Sequence, residues 1–271
     1  MYKHISCSFL FYSLSLRQIR SSCGLHCKKY IGRQQRRNGS STSQQDYDSL
    51  TTDPAVAAQY FRPSSGSSSL LPYKRLVQDF ILLPNFISKE EHDIIVQHCE
   101  KKLKRSLGRH APYEQGHFDG VITGYKECNA SSWATPTHGG VDEWMSQFIQ
   151  QRIYSLFPSS FEWLSPHILD LNAQGEIRGH VDNVEASGSV VAGLCLKSPV
   201  KMTLEHQDNV DCRVDVFLPT SCFYIQRDYV RYHFKHAVAG PSQSIWDDKP
   251  FDKYDRISLL FRTIRNDSRS K

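Results

Sequence analysis

The feature that most constrains this chain is a succession of short apolar segments separated by turn-forming residues. From Pro166 onward, eight segments of strand length follow one another, at residues 167–171, 176–182, 189–196, 200–206, 211–218, 222–227, 232–238 and 256–262. Gly175, Gly188, Pro199 and Pro219 mark turns between them. With helical segments before them, these strands predict an α+β fold, a double-stranded β-helix or jelly roll with helices packed on one sheet. The interior of such a barrel can hold a metal ion and a small molecule.

Two helices are expected ahead of this strand-rich half. Ser88 and Glu91 have the spacing of a capping box, and an apolar stripe follows at Ile94, Ile95, Cys99 and Leu103. A second helix is expected from about residue 141 to residue 157, where Pro158 ends it. Between them, residues 105–140 are loop-like, and either contact a substrate or simply connect the helices.

One of the predicted strands carries the chemically suggestive sequence His180-Val-Asp182. Residues two apart in a strand project to the same side, so both side chains can reach one metal ion. A non-haem Fe(II) oxygenase holds its iron with two histidines and one carboxylate, which leaves positions open for cosubstrate and O2. The second histidine must then come from a distant part of the chain. His236 is the candidate for it, and His233 is its rival.

His-x-acid pairs are frequent enough that this pair alone does not define a site, since the chain contains four. His98-Cys-Glu100 falls in a predicted helix, where residues two apart do not face each other. His117-Phe-Asp119 precedes the strand-rich half, and His206-Gln-Asp208 is interpreted as a hairpin turn. Only His180 is followed by several strands, then a histidine, then a strand with two arginines.

That last predicted strand, residues 256–262, places Arg256 and Arg262 on the same face. Taken alone, it would be interpreted as an edge strand with its arginines in solvent. A guanidinium fork is also the group that receives a carboxylate by paired hydrogen bonds. Together with the proposed metal ligands, the two arginines indicate an iron site with a dicarboxylate cosubstrate.

These motifs resemble the AlkB family of Fe(II)- and 2-oxoglutarate-dependent dioxygenases, with the greatest likeness to a mitochondrial member. The likeness covers roughly residues 76–264. The matching motifs are His180-Val-Asp182, Ile168-Leu-Asp-Leu171, Val191-Ala-Gly-Leu194, Phe223-Tyr-Ile225, Arg231-Tyr232 with His236, Arg256-Ile-Ser258 with Arg262, Phe118-Asp119 and Gly124-Tyr-Lys-Glu127.

The resemblance implies an enzyme that uses Fe(II) and the cosubstrate 2-oxoglutarate with O2, releases succinate and oxidises a C–H bond. The implied iron ligands are His180, Asp182 and His236. Arg256 would grip the distal carboxylate of 2-oxoglutarate, and Arg262 would steady its metal-chelating end or a nearby carboxylate. Tyr224 would add a hydroxyl hydrogen bond to the cosubstrate, or would be a core tyrosine whose hydroxyl is satisfied elsewhere.

One departure from the family concerns the start of the metal-binding strand. Nucleobase-repairing relatives have Asn-x-Tyr where this chain has Leu169-Asp170-Leu171. Leu169 is expected beside the pocket if its strand face lines the barrel. We therefore hypothesise that Leu169 gains one oxygen atom when the enzyme turns over without substrate, although both leucines also suit a packed core.

The first 45 residues contain eight Lys or Arg and no Asp or Glu. They are rich in Ser, and their apolar run at residues 8–16 is too short to span a bilayer. This composition predicts a mitochondrial transit peptide over residues 1–45, which fits a protein of the mitochondrial matrix without a membrane span. The competing interpretation is a secretory signal that begins at Lys3, but further basic residues follow its apolar run.

Without this segment the sign of the charge reverses. The whole chain carries +5, whereas residues 46–271 hold 25 basic and 28 acidic residues, a net charge of −3. Nucleic acid is therefore a possible partner that is not favoured.

Ser64-Ser-Gly-Ser-Ser-Ser69 predicts a flexible linker over residues 46–72, which leaves residues 73–271 as the jelly-roll domain. The eight cysteines include no CxxC pair, so no closed cysteine zinc site is predicted.

Three classes of function remain open on the sequence. The favoured one is a mitochondrial dioxygenase that hydroxylates a protein side chain or a small metabolite. The alternatives are a demethylase of methylated bases in mitochondrial RNA and a catalytically idle regulatory module, against which the intact metal and arginine positions argue. The resemblance further implies a link to fatty-acid metabolism and programmed necrosis.

Overall fold

The computed structural model describes residues 42–116, 120–133 and 143–265. The strands in this part of the chain are β1 (Phe61–Pro63), β2 (Phe80–Leu83), β3 (Ile122–Asn129), β4 (His167–His180), β5 (Val190–Leu196), β6 (Val200–His206), β7 (Asn209–Leu218), β8 (Phe223–Arg227), β9 (Phe234–Val238), β10 (Ile245–Trp246), β11 (Lys249–Pro250) and β12 (Arg256–Arg262). The α-helices are α1 (Gln44–Asp48), α2 (Pro54–Tyr60), α3 (Leu71–Asp79), α4 (Lys89–Leu107), α5 (Glu143–Phe148) and α6 (Asp228–His233).

Ten of these strands form one antiparallel sheet in the order β1-β7-β6-β9-β4-β12-β5-β8-β2, with β3 also paired to β4. The long strand β4 joins two halves of the sheet, β1-β7-β6-β9 on one side and β12-β5-β8-β2 on the other. Its first residues pair with β12, whereas Ile177 and His180 near its end pair with β9 across a register shift. Strand β4 therefore brings the metal-binding motif to the point where the two halves meet.

The apolar core consists of two layers on opposite faces of the sheet. The inner layer combines side chains from both halves, such as Leu171 and Leu260 from one and Met202 and Val216 from the other. The two halves therefore face each other. The outer layer packs the helices α4 and α5 on the β12-β5-β8 half alone. The predicted jelly roll with helices on one sheet is confirmed.

Helix α4 has the capping box and the buried apolar stripe that the sequence predicts. The Ser88 hydroxyl accepts from the Glu91 amide while the Glu91 carboxylate accepts from the Ser88 amide, which completes the predicted capping box. Ile95, Cys99 and Leu103 are its buried residues.

The second predicted helix is less regular than expected. Within the described residues, α5 gives way to a π-helical segment, Ile149–Ile153, and then to a 3₁₀ turn, Tyr154–Leu156. Met145 and Phe148 are buried, as the amphipathic pattern indicates. Residues 141–142, at the start of the predicted helix, lie outside the described part.

Two strand predictions differ from the structure. Residues 167–171 and 176–182 belong largely to one strand, β4, so Gly175 is not a turn. A Cβ atom at Gly175 would lie 2.8 Å from the carbonyl oxygen of Gly124, so glycine is needed for close approach of β3 and β4. The predicted strand at residues 232–238 begins only at Phe234, because helix α6 precedes it.

The segment expected to be a flexible linker, residues 46–72, is folded. Tyr47 in α1 is buried, and β1 pairs antiparallel with β7. Ser67 is fully buried, and its hydroxyl donates to the carbonyl of Asp211 at 2.6 Å. A Ser-Gly composition is typical of mobile chain, but it does not reveal hydrogen bonds to a distant strand.

Residues 1–41, which make up nearly all of the predicted transit peptide, lie outside the described residues, so that expectation stays a prediction. In the part of the chain that the structure describes, no helix has the length and apolar character needed to cross a bilayer.

Candidate metal centre

The three predicted metal ligands lie together at the junction of β4 and β9. His180 ends β4, Asp182 follows it by two residues, and His236 lies in β9 directly opposite His180. The centroids of the two imidazole rings are 4.3 Å apart. Strand pairing thus positions both histidines, because residues opposite each other in an antiparallel pair place their side chains on the same face.

The carboxylate of Asp182 completes the group. Its Oδ1 atom lies 3.3 Å from Nε2 of His180 and 3.6 Å from Nε2 of His236. One ligand atom from each residue lies within 4.8 Å of the other two. Two imidazoles and one carboxylate so placed are the donor set of a non-haem iron site. His233, the rival ligand, lies elsewhere, beside His206 and Asp208.

The protonation of these groups suits metal binding. Nδ1 of His180 lies 2.9 Å from the carbonyl oxygen of Arg178, to which it donates, so Nε2 is the ring nitrogen that faces Asp182. Burial lowers the pKa of His236 to about 4, against the opposing effect of Asp182, so this imidazole is neutral near pH 7. Burial opposes ionisation of Asp182, but the adjacent Arg262 guanidinium holds the pKa of its carboxyl well below the usual range.

Two arginines fix Asp182 from different sides. Nε of Arg262 donates to its Oδ2 atom at 2.8 Å, so the carboxylate that Arg262 contacts is that of Asp182. Nη1 of Arg231 donates to the backbone carbonyl of Asp182 at 3.0 Å, and Nη2 donates to the Ser187 hydroxyl at 2.9 Å. Arg231 was not predicted as a site residue, although it belongs to one of the matching motifs.

Arg256 is the cationic group that faces the same cavity without a carboxylate partner among the described residues. It is 2% exposed, and neither its Nε atom nor the hydroxyl of Ser258 has a hydrogen-bond partner there. Its Nη2 atom contacts only the weak acceptor Sγ of Cys195, at 3.5 Å. Unsatisfied buried donors cost about 1–3 kcal/mol each, so this end of the cavity fits an anionic ligand such as the distal carboxylate of 2-oxoglutarate.

Tyr224 lines this cavity and also packs as a core residue. It is 4% exposed and its ring stacks on Phe80 at 6.0 Å. Burial raises its pKa, so the phenol is protonated and can donate a hydrogen bond. A Cβ atom at Gly193 would lie 2.6 Å from the Tyr224 ring, which makes glycine necessary in the neighbouring strand β5.

All the predicted site residues line this one cavity. They are His180, Asp182, His236, Tyr224, Arg256 and Arg262. His167 and Ser258 also line it and were missed by the sequence analysis. Their alternation with apolar residues on β4 and β12 is a weak signal, since it equally describes any strand with one polar face.

A jelly roll that encloses two histidines, a carboxylate and a buried arginine on one cavity has the architecture of the Fe(II)- and 2-oxoglutarate-dependent dioxygenases. No family model matches the sequence. The chain is 33% identical over 192 residues to the mouse (Mus musculus) protein named "Alpha-ketoglutarate-dependent dioxygenase alkB homolog 7, mitochondrial", which covers 70% of this chain and 80% of the mouse protein. It is 30% identical to the protein of that name from cattle (Bos taurus), with the same coverage of each chain.

The chain belongs to the alkB homolog 7 family of α-ketoglutarate-dependent dioxygenases, so the resemblance inferred from the motifs is confirmed. Its enzyme class, with Fe(II) as cofactor and 2-oxoglutarate as cosubstrate, follows from that membership.

Among solved structures, that of OsALKBH1 aligns with a TM-score of 0.48 at 18% identity and covers 68% of this chain and 97% of that chain. A prolyl-4-hydroxylase of Pseudomonas putida aligns with a TM-score of 0.47 at 12% identity, over 69% and 93% respectively.

Proposed function

We propose that this protein is a dioxygenase of the mitochondrial matrix that hydroxylates a protein side chain or a small metabolite. The observation that carries the proposal is the convergence of His180, Asp182 and His236 with the buried Arg256 on one cavity. The mitochondrial location is supported by the names of the mouse and cattle relatives and by the acid-free basic N-terminus.

Each side chain has a distinct part in this proposal. His180, Asp182 and His236 hold the iron, while Arg262 keeps the Asp182 carboxylate ionised and Arg231 holds the Asp182 backbone through its carbonyl. Iron and 2-oxoglutarate, when bound, supply the O2-dependent oxidising chemistry.

The cosubstrate is held at the other end of the cavity. Arg256 receives the distal carboxylate of 2-oxoglutarate through its guanidinium fork, and the neighbouring hydroxyls of Ser258 and Tyr224 add donors. Burial of the guanidinium strengthens this interaction, because little solvent competes for it.

A protein or metabolite substrate is favoured over nucleic acid by the charge of the chain. Residues 46–271 carry −3, which gives no general attraction to phosphate. Demethylation of mitochondrial RNA therefore remains the second candidate, supported by family membership alone. The link to fatty-acid metabolism and programmed necrosis is likewise part of the proposal on family grounds.

The central assignment is tested by replacing two ligands at once. A His180→Ala, Asp182→Ala double variant should neither retain Fe(II) nor release succinate from 2-oxoglutarate above background, because a single imidazole cannot hold the ion. Bound iron and succinate are measured under identical conditions for the wild type.

A matched control changes the same residue types away from the cavity. His110 and Asp252 are both exposed, so a His110→Ala, Asp252→Ala variant should behave as the wild type does. Succinate release by the His180, Asp182 variant at the wild-type rate would refute the assignment of the metal centre.

A further inference from the structure

A second group of potential metal ligands lies outside the site described above. His206 ends β6, Asp208 lies in the turn between β6 and β7, and His233 ends helix α6. One ligand atom from each lies within 4.8 Å of the other two. The rings of His206 and His233 are nearly parallel, 6° apart in plane, with centroids 6.1 Å apart. The group shares no residue with the first metal centre.

The backbone holds this group together. The Gln207 amide donates to the carbonyl of His233 at 2.9 Å, and the Gln207 side chain donates to the carbonyl of Tyr232 at 2.7 Å. In the adjoining strands, His206 is opposite Phe234. The turn that carries Asp208 is therefore fixed against the end of α6, and the three side chains do not depend on a mobile loop for their proximity.

The hydrogen bonds of His206 leave its Nδ1 atom as the natural metal ligand. The Asp208 amide, which can only donate, lies 3.2 Å from Nδ1, so the ring proton is on Nε2. Nε2 then donates to the hydroxyl of Tyr229 at 2.9 Å. Metal-binding histidines are oriented in this way, through a hydrogen bond from the nitrogen that does not face the ion. Binding would replace only the long contact with the Asp208 amide.

We propose that His206, Asp208 and His233 form a second metal site. It binds Zn²⁺ or another divalent transition metal that prefers imidazole and carboxylate ligands. Two imidazoles and one carboxylate suit such ions, whereas Mg²⁺ and Ca²⁺ prefer oxygen ligands alone. His206 is buried, but Asp208 and His233 are exposed, so an ion enters from solvent and completes its coordination with water. Its effect is to fasten the β6–β7 turn to the start of β9, the strand that carries His236.

The number of ions that the full chain binds tests the proposal. After equilibrium dialysis against Zn²⁺, the wild type should hold two ions, since both sites accept this metal, as counted by elemental analysis. An Asp208→Asn, His233→Gln variant should hold one. Both changes are at exposed positions, so the fold is retained, which far-ultraviolet circular dichroism checks. A His110→Ala control should still hold two.

The affinity of the second site is measured in isolation by titrating Zn²⁺ into the His180→Ala, Asp182→Ala variant, which should bind one ion. In this background Tyr229→Phe should weaken Zn²⁺ binding about 10- to 100-fold, because it removes only the hydroxyl that orients His206. Failure of the His180, Asp182 variant to bind an ion would overturn the proposal. An unchanged ion count in the Asp208, His233 variant would do so as well.

Discussion

The two arginines of β12 lie on the same face of one strand but are matched to different anions. Arg262 already faces a carboxylate, since its Nε donates to Asp182. Arg256, six residues earlier, is buried against the weak acceptor Cys195, and its Nε atom has no partner among the described residues. The difference in partner, and not in position along the strand, is why we propose that Arg256 binds an anionic ligand.

Arg256→Lys should weaken 2-oxoglutarate binding about 10- to 100-fold, because an ammonium group cannot reproduce the planar fork and a charged hydrogen bond contributes about 1.5–3 kcal/mol. Calorimetric titration of the metal-loaded protein measures the effect. Arg213→Lys, a half-exposed position on β7, serves as the control and should bind 2-oxoglutarate normally. If the Arg256 variant binds 2-oxoglutarate normally but fails to bind iron, the arginine has been given the wrong role.

Leu169 lines the cavity together with His180 and is only 4% exposed. The expectation that it lies beside the pocket is confirmed, whereas its oxidation remains a hypothesis. Prolonged turnover with Fe(II), 2-oxoglutarate and O2 but no substrate should add one oxygen atom to it. Mass spectrometry of the peptide containing residues 165–178 detects the change.

Leu259 provides an internal comparison for this experiment. It is fully buried in the outer layer under the helices, on the opposite face of the sheet. Leu259 itself should stay unmodified in the same sample, as fragment ions that separate it from the cavity-lining Leu260 show. An unmodified Leu169 peptide after measured succinate production would place Leu169 out of reach.

At the scale of secondary-structure elements, helix α1 is fastened to β8 by Arg227. The guanidinium of Arg227 donates to the carbonyls of Tyr47 at 2.6 Å, Leu50 at 3.0 Å and Gln78 at 3.1 Å. It also lies 4.9 Å from the centre of the Tyr47 ring. The segment around α1 therefore satisfies a buried cation, and its loss would leave that charge without most of its partners.

Tyr47→Ala should lower the free energy of unfolding by about 3–5 kcal/mol, the usual loss for removing a large buried aromatic side chain. Tyr47→Phe should be nearly neutral, because the buried Tyr47 hydroxyl has no hydrogen-bond partner among the described residues. Urea denaturation of both variants measures the difference. A neutral Tyr47→Ala variant would mean that α1 does not contribute to the folded core.

How far the sequence predicts these elements depends on how local their causes are. Strands β6 and β12 were predicted to the residue, because their apolar alternation is a local property. The small elements α1 and β1 were missed, because their stability comes from Arg227 and from β7, which are distant in sequence.

The same distinction applies to the candidate site. The His180 and Asp182 pair was predicted from the two-residue period of a strand. In the structure β4 ends at His180 and Asp182 lies two residues beyond it, yet both side chains meet His236 as predicted. Arg231 and Ser258 are conspicuous only once their burial and hydrogen bonds are known. Periodicity does not encode those properties, since it gives the face on which a side chain lies but not whether that face meets solvent or a cavity.

On the scale of the whole molecule, the charge is divided unevenly along the chain. The first 45 residues carry eight basic residues and no acidic one, whereas the remainder has a net charge of −3. The basic character therefore belongs to a segment that is distant in sequence from the candidate site residues.

Residues 1–45 fused to a fluorescent reporter should carry it into mitochondria, as fluorescence microscopy with an organelle marker shows. Replacing the arginines of the segment with glutamine should leave the reporter outside, because its positive charge is the property that directs import. Appearance of the unaltered fusion in the secretory pathway would favour the alternative interpretation as a signal peptide.

The pairing of His180 with His236 also determines when the chain becomes reactive. The two residues are 56 positions apart in sequence and meet only when β9 docks beside β4. A chain still short of that step offers one imidazole and one carboxylate, which are too few to retain the ion. With these three residues as the proposed iron ligands, we expect nascent and partly folded molecules to be inactive, and their exposed side chains to be spared oxidation by their own centre.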